Sequence, residues 1–250
     1  MKGILAERLY LSGMDARAAD LARRLGLGLE LTAFTYAPEL DRPAARDEAK
    51  VQCAGVARLW LHGPFAELCP AAIDPLVQAV TKKRYLQAAA LAKRCGASKM
   101  VVHSGFIPLV YYPEWFAPQS AAFWREFLID VDGLTLCVEN VMETSPDALR
   151  QVAEQVNDPR LRICFDVGHA FCQSGELAPW LDALAPYISH VHLHNNHGSF
   201  DEHLGLPDGT LDMAAVIRQL EALAPQATYT LEVRSARASV EWLLKEGLLE

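Results

Sequence analysis

Short apolar segments, rich in aliphatic and β-branched residues, recur along the whole chain and predict buried strands. Longer segments with apolar residues at helical spacing lie between them. The strands are predicted at residues 27–34, 58–62, 99–103, 134–139, 161–166, 188–193 and 228–233. The first strand must then lie within residues 2–11.

The two clearest helices are predicted at residues 74–95 and 212–223. Asp74-Pro75 and Asp212 are typical helix starts, and Gly96 is a typical residue after a helix end. Strands that alternate with helices imply a parallel sheet, and eight such units in 250 residues favour a closed barrel over an open sheet. We therefore predict the α/β class, with residues 1–250 forming a single (β/α)8 TIM barrel domain.

The composition limits the partners and the compartment. A formal net charge of -8 provides no broad electrostatic footprint for nucleic acid, although a local basic groove is compatible with it. The one basic cluster, at residues 82–84, is expected on a solvated helix face. No segment approaches the roughly 18 apolar residues of a membrane span, and the six cysteines form no CxxC pair. We expect a cytoplasmic protein in a reducing compartment, with no membrane partner.

Residues of metal-ligand type lie where many of the apolar segments give way to loops. Because the carboxyl ends of parallel strands meet at one mouth of a barrel, these side chains are expected to converge there. Any one of these residues alone is equally well interpreted as a metal ligand or as a polar cap of a strand or helix. A whole ring of carboxylates and imidazoles, however, needs a cation to offset its charge and satisfy its lone pairs. The candidate ligands are His62, His103, Glu139, Asp166, His169, His192, Asp201, His203 and Glu232.

The motifs around these positions resemble those of the xylose isomerase-like TIM barrels. This superfamily holds sugar isomerases and epimerases together with the endonuclease IV type of abasic-site nuclease, the AP endonuclease family 2. The resemblance runs from about Gly28 to Glu232. It rests on HGPF (62–65), VVHSG (101–105), VEN (138–140), FDVGHA (165–170), HLHNN (192–196), DEHLGLPDG (201–209) and LEV (231–233).

The epimerase branch implies one divalent metal held by a glutamate, an aspartate, a histidine and a second glutamate. These match Glu139, Asp166, His192 and Glu232. By the same resemblance the two glutamates move the protons of the substrate, and His169 contacts it. A metal chelated by the hydroxyl and carbonyl of a ketose would stabilise an enediolate. The first hypothesis is therefore a metal-dependent sugar or sugar-phosphate isomerase or epimerase.

The nuclease branch implies three zinc ions at the same mouth. Its additional ligands match His62, His103, His169, Asp201 and His203. Imidazole and carboxylate donors suit Zn2+ or Mn2+, so the resemblance implies one to three ions. The alternative hypothesis is an endonuclease IV-like phosphoesterase acting on abasic-site DNA or another phosphodiester. DNA recognition itself is unsupported, because no basic or intercalating insertion follows strands 2 and 3. A third class keeps the metal ligands for binding or regulation.

Two further residues are predicted to bind substrate. Arg234 lies two residues beyond Glu232 and would clamp a phosphate or carboxylate, with a structural salt bridge as the alternative. Trp115 belongs to a long aromatic segment after strand 4, which would stack on a sugar or base face. That segment would otherwise pack over the barrel rim or against a partner subunit, which leaves a homo-oligomer open.

Several neighbouring residues receive other interpretations. His190 and His194 share strand parity with His192, which we prefer as the ligand because of the motif. His197 is expected in a solvated loop, while Glu30 and Asn140 are expected to form hydrogen bonds in the barrel wall. Asn195 stands where relatives commonly carry an aspartate, which puts a role for that position at the metal in doubt.

Overall fold

The computed structural model describes residues 5–249, which contain a closed barrel of eight parallel strands. Each strand pairs with its neighbours in chain order, and the last strand closes the barrel by pairing with the first. The predicted (β/α)8 TIM barrel is therefore confirmed. The strands are β1 Leu9–Ser12, β2 Gly28–Leu31, β3 Leu59–His62, β4 Lys99–His103, β5 Thr135–Glu139, β6 Leu161–Asp166, β7 Ile188–Leu193 and β8 Thr228–Leu231.

Helices on the outside of the barrel connect successive strands. They are α1 Ala18–Leu25, α2 Pro43–Cys53, α3 Pro75–Cys95, α4 Pro113–Ile129, α5 Asp147–Val156, α6 Val167–Ser174, α7 Ala178–Leu184, α8 Met213–Leu223 and α9 Ala236–Lys245, with a 3-10 helix at Ala37–Asp41. Among the residues described, no helix is both long and apolar enough to cross a membrane.

The predicted helix starts are confirmed at α3 and α8. The Asp74 carboxylate accepts a hydrogen bond from the backbone N–H of Leu76, and Asp212 accepts one from that of Ala215. Gly96 ends α3 with a φ of 76°, in the left-handed region that glycine adopts without strain. These local signals therefore fix where two of the outer helices begin and where one ends.

Three predicted strands differ from the structure by more than one residue in their limits. β1 begins at Leu9 and runs to Ser12, so the predicted segment 2–11 covers most of it; residues 1–4 lie outside the described part of the chain. The strands predicted at 27–34 and 228–233 end earlier, at Leu31 and Leu231. In both cases the apolar pattern continues into buried residues of the loop, since Phe34 and Val233 are also buried.

The barrel interior is more polar than the layer between strands and helices. A small apolar cluster of Val101, Cys137 and Cys164 is separate from the main hydrophobic core. These three residues alternate with the core-facing positions of β4, β5 and β6, and they share parity with the last residue of each strand. Because parity repeats every second residue, the side chains that end these strands also face the barrel axis.

Candidate metal centre

The nine predicted ligand residues converge at the carboxyl end of the barrel. Six come from successive strands β3 to β8, of which Glu232 directly follows β8. The other three come from α6 and from the loop between β7 and α8. Among the described residues, five groups of ligand-type side chains have donor atoms within 4.8 Å of one another, and three of these groups together contain all nine. These three groups are Glu139, Asp166, His192 and Glu232; His62, His103 and Glu139; and His169, His194, Asp201 and His203.

The first group, here called the central group, surrounds one imidazole nitrogen with carboxylates. Nδ1 of His192 lies 3.1 Å from Oε2 of Glu232, 3.2 Å from Oε1 of Glu139 and 3.7 Å from Oδ2 of Asp166. All four residues are buried. Oε2 of Glu139, Oδ2 of Asp166 and Oε2 of Glu232 have no hydrogen-bond partner. Unpaired carboxylate oxygens in a buried site are costly, so this donor set fits a divalent cation.

Glu30 fixes the orientation of His192 from below. Its carboxylate lies 3.1 Å from Nε2 of His192 and 3.0 Å from Nε2 of His190. Burial would raise the pKa of Glu30, but the charge of His192 and hydrogen bonds from both imidazoles outweigh it and lower that pKa well below its usual value. The ionised carboxylate therefore accepts the Nε2–H of His192 and leaves Nδ1 to face the central group. The predicted hydrogen-bonding role of Glu30 agrees with this geometry.

Three other histidines have the opposite orientation. Nδ1 of each lies within 3 Å of a backbone carbonyl: His62 on Gly63 at 2.9 Å, His169 on Asn140 at 2.9 Å and His203 on Glu232 at 2.8 Å. Nε2 of each faces a carboxylate, at 3.5 Å from Glu139 for His62 and at 3.3 and 3.0 Å from Asp201 for His169 and His203. A carbonyl that accepts Nδ1–H leaves Nε2 available as a metal donor.

Without a cation, protons are drawn into this concentration of carboxylates. Burial opposes protonation of His62, but the nearby carboxylate of Glu139 outweighs it and raises the pKa of His62 to about 9. Burial likewise opposes protonation of His203, whose pKa Asp201 and Glu232 raise to about 9. His103 differs, because its burial dominates and lowers its pKa to about 3. Protons on the imidazoles of His62 and His203 thus offset the negative charge of the neighbouring carboxylates.

His194 joins the third group, and the sequence-based ligand set omitted it. Its Nε2 lies 3.0 Å from Oδ1 of Asp166 and 3.6 Å from Oδ1 of Asp201, while its buried Nδ1 has no partner. Gly168 makes room for the ring, since a Cβ at that position would lie 1.9 Å from it. The sequence feature that could have identified His194 is its shared strand parity with His190 and His192. The three side chains lie at successive depths along the barrel.

Asn140 and Asp166 hold the ends of β5 and β6 together. The Asn140 side chain donates to the carbonyl of Asp166 at 2.9 Å and accepts from its N–H at 2.8 Å. Oδ1 of Asp166 in turn accepts the N–H of His169 at 2.6 Å and caps α6. The cap uses one carboxylate oxygen and leaves Oδ2 facing the central group. This pairing gives Asn140 the hydrogen-bonding role that was predicted.

The loop between β7 and α8 carries Asp201 and His203, and Asn195 anchors it. The Asn195 amide donates to the carbonyls of Leu206 and Leu211 at 2.8 and 3.0 Å. Its oxygen accepts the N–H groups of Asn196 and Leu211. His203 has a φ of 50°, a left-handed conformation that turns its ring back to Asp201. Asn195 therefore acts on the loop, while His197 is exposed and pairs with Glu202, as expected for a loop residue.

A cavity of about 410 Å³ opens above the ligand groups and is here called the mouth pocket. Seven of the nine predicted ligands line it, and Asp166 and His192 lie beneath it, fully buried. A larger cavity of about 680 Å³ lies between α2 and α3, beside Cys53 and Cys95, and none of the predicted ligands lines it. The chemistry-bearing groups therefore identify the mouth pocket as the candidate active site.

Arg234 and Trp115 do not line the mouth pocket. β8 ends at Leu231, so strand parity does not extend to Arg234, which is exposed. Trp115 lies in the first turn of α4, stacks on Tyr111 with ring centroids 5.5 Å apart and packs against the core. This is the rim packing that was the alternative for the aromatic segment. The substrate roles of both residues stay predictions.

The sequence matches a known family over most of its length. Residues 17–246 match the family model described as xylose isomerase-like TIM barrel. The chain belongs to this family. This xylose isomerase-like chain is 27% identical over 202 residues to the uncharacterized protein MJ1311 of Methanocaldococcus jannaschii, covering 75% of this chain and 69% of that protein.

Solved structures extend the likeness over nearly the whole xylose isomerase-like barrel. A D-tagatose 3-epimerase-like protein superposes with a TM-score of 0.81 at 22% identity, covering 96% of this chain and 97% of that one. The TTHB071 protein from Thermus thermophilus, soaked with ZnCl2, gives 0.75 at 30% identity, with the same coverage. The likeness to the D-tagatose 3-epimerase-like protein is one of fold alone. The TTHB071 protein is similar to this chain in sequence as well as in fold.

Proposed function

We propose that this protein is a divalent-metal sugar or sugar-phosphate isomerase or epimerase. The observation that carries the proposal is the central group, in which Nδ1 of His192 and three carboxylates with unpartnered buried oxygens converge. The likeness to a D-tagatose 3-epimerase-like protein supports the sugar substrate, and the likeness to a protein soaked with ZnCl2 supports a metal.

Glu139, Asp166, His192 and Glu232 would hold the metal, which we propose to be Zn2+ or Mn2+. Bound there, a divalent ion supplies Lewis acidity that polarises a ketose carbonyl and acidifies the neighbouring C–H. Asp166 is the best suited to a purely ligating role, because its other oxygen is committed to capping α6. His192 is likewise committed, since Glu30 holds its Nε2.

Glu139 and Glu232 are the proposed acid and base. They stand at the ends of β5 and β8, three strands apart around the barrel, so they approach a substrate from different sides. Both line the mouth pocket. One carboxylate would remove a proton from the substrate carbon, and the other would return a proton to the enediolate. His169, which lines the same pocket, is proposed to hydrogen-bond a substrate hydroxyl.

Solvent deuterium exchange tests the proposal. We expect the zinc- or manganese-loaded protein to exchange a C–H proton of at least one ketose in a broad panel, as followed by proton NMR in D2O. Glu232→Gln should slow the exchange by about 10² to 10⁴-fold, because it removes one proton-transfer group. Glu241→Gln, on the exposed face of α9, is the matched control and should retain the full rate. Absence of exchange with every ketose, while metal is bound, would refute the proposal.

An endonuclease IV-like metallophosphoesterase is the second candidate, and the two further ligand groups favour it. Oε1 of Glu139 faces His192, while Oε2 lies 3.5 Å from Nε2 of His62 and 3.7 Å from Nε2 of His103. Such a carboxylate is suited to bridge two metals, and neighbouring metals clamp the oxygens of a phosphoryl displacement. A bridging Glu139 would be less free to act as a base.

Hydrolysis assays separate the two candidates. The second predicts that zinc-loaded protein cleaves bis(p-nitrophenyl) phosphate or an abasic-site duplex, and that Asp201→Ala and His203→Ala abolish this cleavage. Inert phosphodiesters under saturating zinc, together with ketose exchange that survives both substitutions, would leave the isomerase or epimerase alone.

A further inference from the structure

A second cavity adjoins the mouth pocket and is here called the side cavity. It has a volume of about 610 Å³ and lies among the loops that follow β3, β4 and β5 and the start of α3. That volume is within the range of about 300 to 1,000 Å³ that is usual for small-molecule sites. Its walls are mainly apolar and include Leu68, Ala72, Ile73, Val77, Phe106 and Met142.

The side cavity and the mouth pocket share a wall. Phe65, His103 and Val141 line both cavities. The rings of Phe65 and His103 stack with centroids 4.1 Å apart and planes inclined by 8°. The two cavities therefore adjoin at this pair of rings, next to the ligand groups.

Apolar side chains of the side cavity face water in the free protein. Ile73 is 73% exposed, Met142 46% and Ile107 45%, although all three line the cavity. Clustered exposed apolar surface beside a polar site is typical of a binding groove, because an apolar occupant removes it from water. The acidic residues in its lining are Glu67 and Asp74, and both are exposed.

Neither cavity is lined by a lysine or arginine side chain in the described part of the chain. Lysine and arginine are common phosphate-binding residues, because they donate charge-assisted hydrogen bonds. The side cavity, with apolar walls, two acidic residues and no lysine or arginine among its described lining residues, therefore suits an uncharged apolar group better than a phosphate.

We infer that the substrate carries an uncharged apolar substituent, which occupies the side cavity while the polar, metal-chelating end lies in the mouth pocket. This inference rests on the proposed function and narrows it from sugar or sugar-phosphate to an unphosphorylated polyhydroxy ketone with an apolar group of about the size of a ring. Free small sugars would fill the mouth pocket and leave the side cavity to water.

Two chelating probes that differ only in their tails test the inference. Acetohydroxamic acid and 4-phenylbutyrohydroxamic acid both present a bidentate oxygen pair, and only the second carries a phenyl tail. We expect the phenyl probe to bind zinc-loaded protein at least about tenfold more tightly in calorimetry, equal to about 1.4 kcal/mol. Equal dissociation constants for the two probes would overturn the inference.

Substitutions at the cavity wall locate the effect. Ile73→Asp and Ile107→Asp should each reduce the advantage of the phenyl probe to less than threefold and leave acetohydroxamate binding unchanged. Ile129→Asp is the matched control, since Ile129 is 80% exposed at the end of α4, away from the cavity. A phenyl advantage that survives both wall substitutions would place the tail elsewhere and overturn the inference.

A third probe separates this inference from the proposed function. 4-Phenyl-1-butanol has the tail without the chelating end, and saturation-transfer NMR should detect its binding to wild type and its loss in Ile73→Asp. If neither hydroxamate binds but this probe behaves as described, the metal site fails and the side cavity stands. A second copy of the chain is the alternative occupant of the side cavity, and sedimentation velocity tests for it. A dimer that Ile73→Asp converts to a monomer would show that these side chains form an interface between copies, and it would overturn the inference.

Discussion

Glu30 decides, at the scale of single residues, which nitrogen of His192 faces the central group. The carboxylate of Glu30 lies 3.1 Å from Nε2, and Nδ1 is left among three carboxylates. Glu30 itself does not line the mouth pocket. It is therefore a positioning residue, which would act on a bound metal through an imidazole.

Glu30→Gln should weaken metal binding by about 10 to 100-fold, because an amide neither fixes the tautomer nor raises the basicity of His192 as a carboxylate does. Competition for zinc against a chromophoric chelator measures the change. Glu176→Gln, at an exposed position before α7, serves as the matched control and should bind as wild type does. Unchanged affinity in folded Glu30→Gln would contradict the positioning role.

Metal binding should release protons at pH 7. Without a cation the pKa values of His62 and His203 are raised to about 9, so both imidazoles are protonated at neutral pH. Only neutral imidazole coordinates a metal, so binding there must displace these protons, and affinity should increase as the pH rises from about 6 to about 9. His103, with a pKa of about 3, should contribute nothing to this dependence.

Calorimetric titration of zinc at pH 7, in two buffers with different ionisation enthalpies, measures the number of protons released. We expect more than one proton per chain when His62 and His203 both take part. An observed enthalpy that is independent of the buffer would show that no proton leaves these imidazoles.

Strand ends and one loop build the site at the scale of elements. Strands β3 to β8 supply the central group and its neighbours, and the loop anchored by Asn195 brings Asp201 and His203 above them. Asn195 donates to two carbonyls, which an aspartate cannot do. The amide at this position is therefore explained by the loop that it anchors.

Asn195→Asp should lower the free energy of unfolding by about 2 to 4 kcal/mol, because one buried and one partly buried carbonyl lose their donor and face a carboxylate instead. Urea denaturation measures the change. Gln219→Glu makes the same amide-to-acid substitution at an exposed position of α8 and should shift stability by less than about 0.5 kcal/mol. If the two variants prove equally stable, Asn195 does not anchor the loop.

The sequence predicted elements best where local and tertiary preferences coincide. Buried strands such as Lys99–His103 and Leu161–Asp166 have the predicted limits, because their apolar residues end where the barrel ends. The limits of β2 and β8 were less accurate, since apolar residues beyond Leu31 and Leu231 pack in loops. Local pattern cannot distinguish a buried loop residue from a buried strand residue.

The sequence predicted which strand ends carry site residues, but it did not predict how deep along the barrel axis each side chain lies. Parity placed His190, His192 and His194 on one side of β7, and only the packed barrel separates them into a residue beside Glu30, a member of the central group and a neighbour of Asp201. Strand parity does not apply to Arg234, because β8 ends at Leu231. Depth along the barrel and loop paths are tertiary properties.

At the scale of the whole molecule, buried carboxylates are gathered at one end of a chain whose net charge is already -8. Folding brings Glu139, Asp166 and Glu232 around a single nitrogen, and three of their oxygens have no hydrogen-bond partner. A bound cation would balance this arrangement, and the substrate would then lie in the mouth pocket with its apolar substituent in the side cavity. The central claim is that these side chains hold a divalent metal.

Metal content per chain, measured by elemental mass spectrometry on protein purified without chelator and resupplied with zinc and manganese, tests this claim most directly. We expect at least about one zinc or manganese per chain in wild type, its loss in Asp166→Asn, and full retention in Asp182→Asn, an exposed position of α7. Wild-type protein without metal, or metal that persists unchanged in Asp166→Asn, would contradict it.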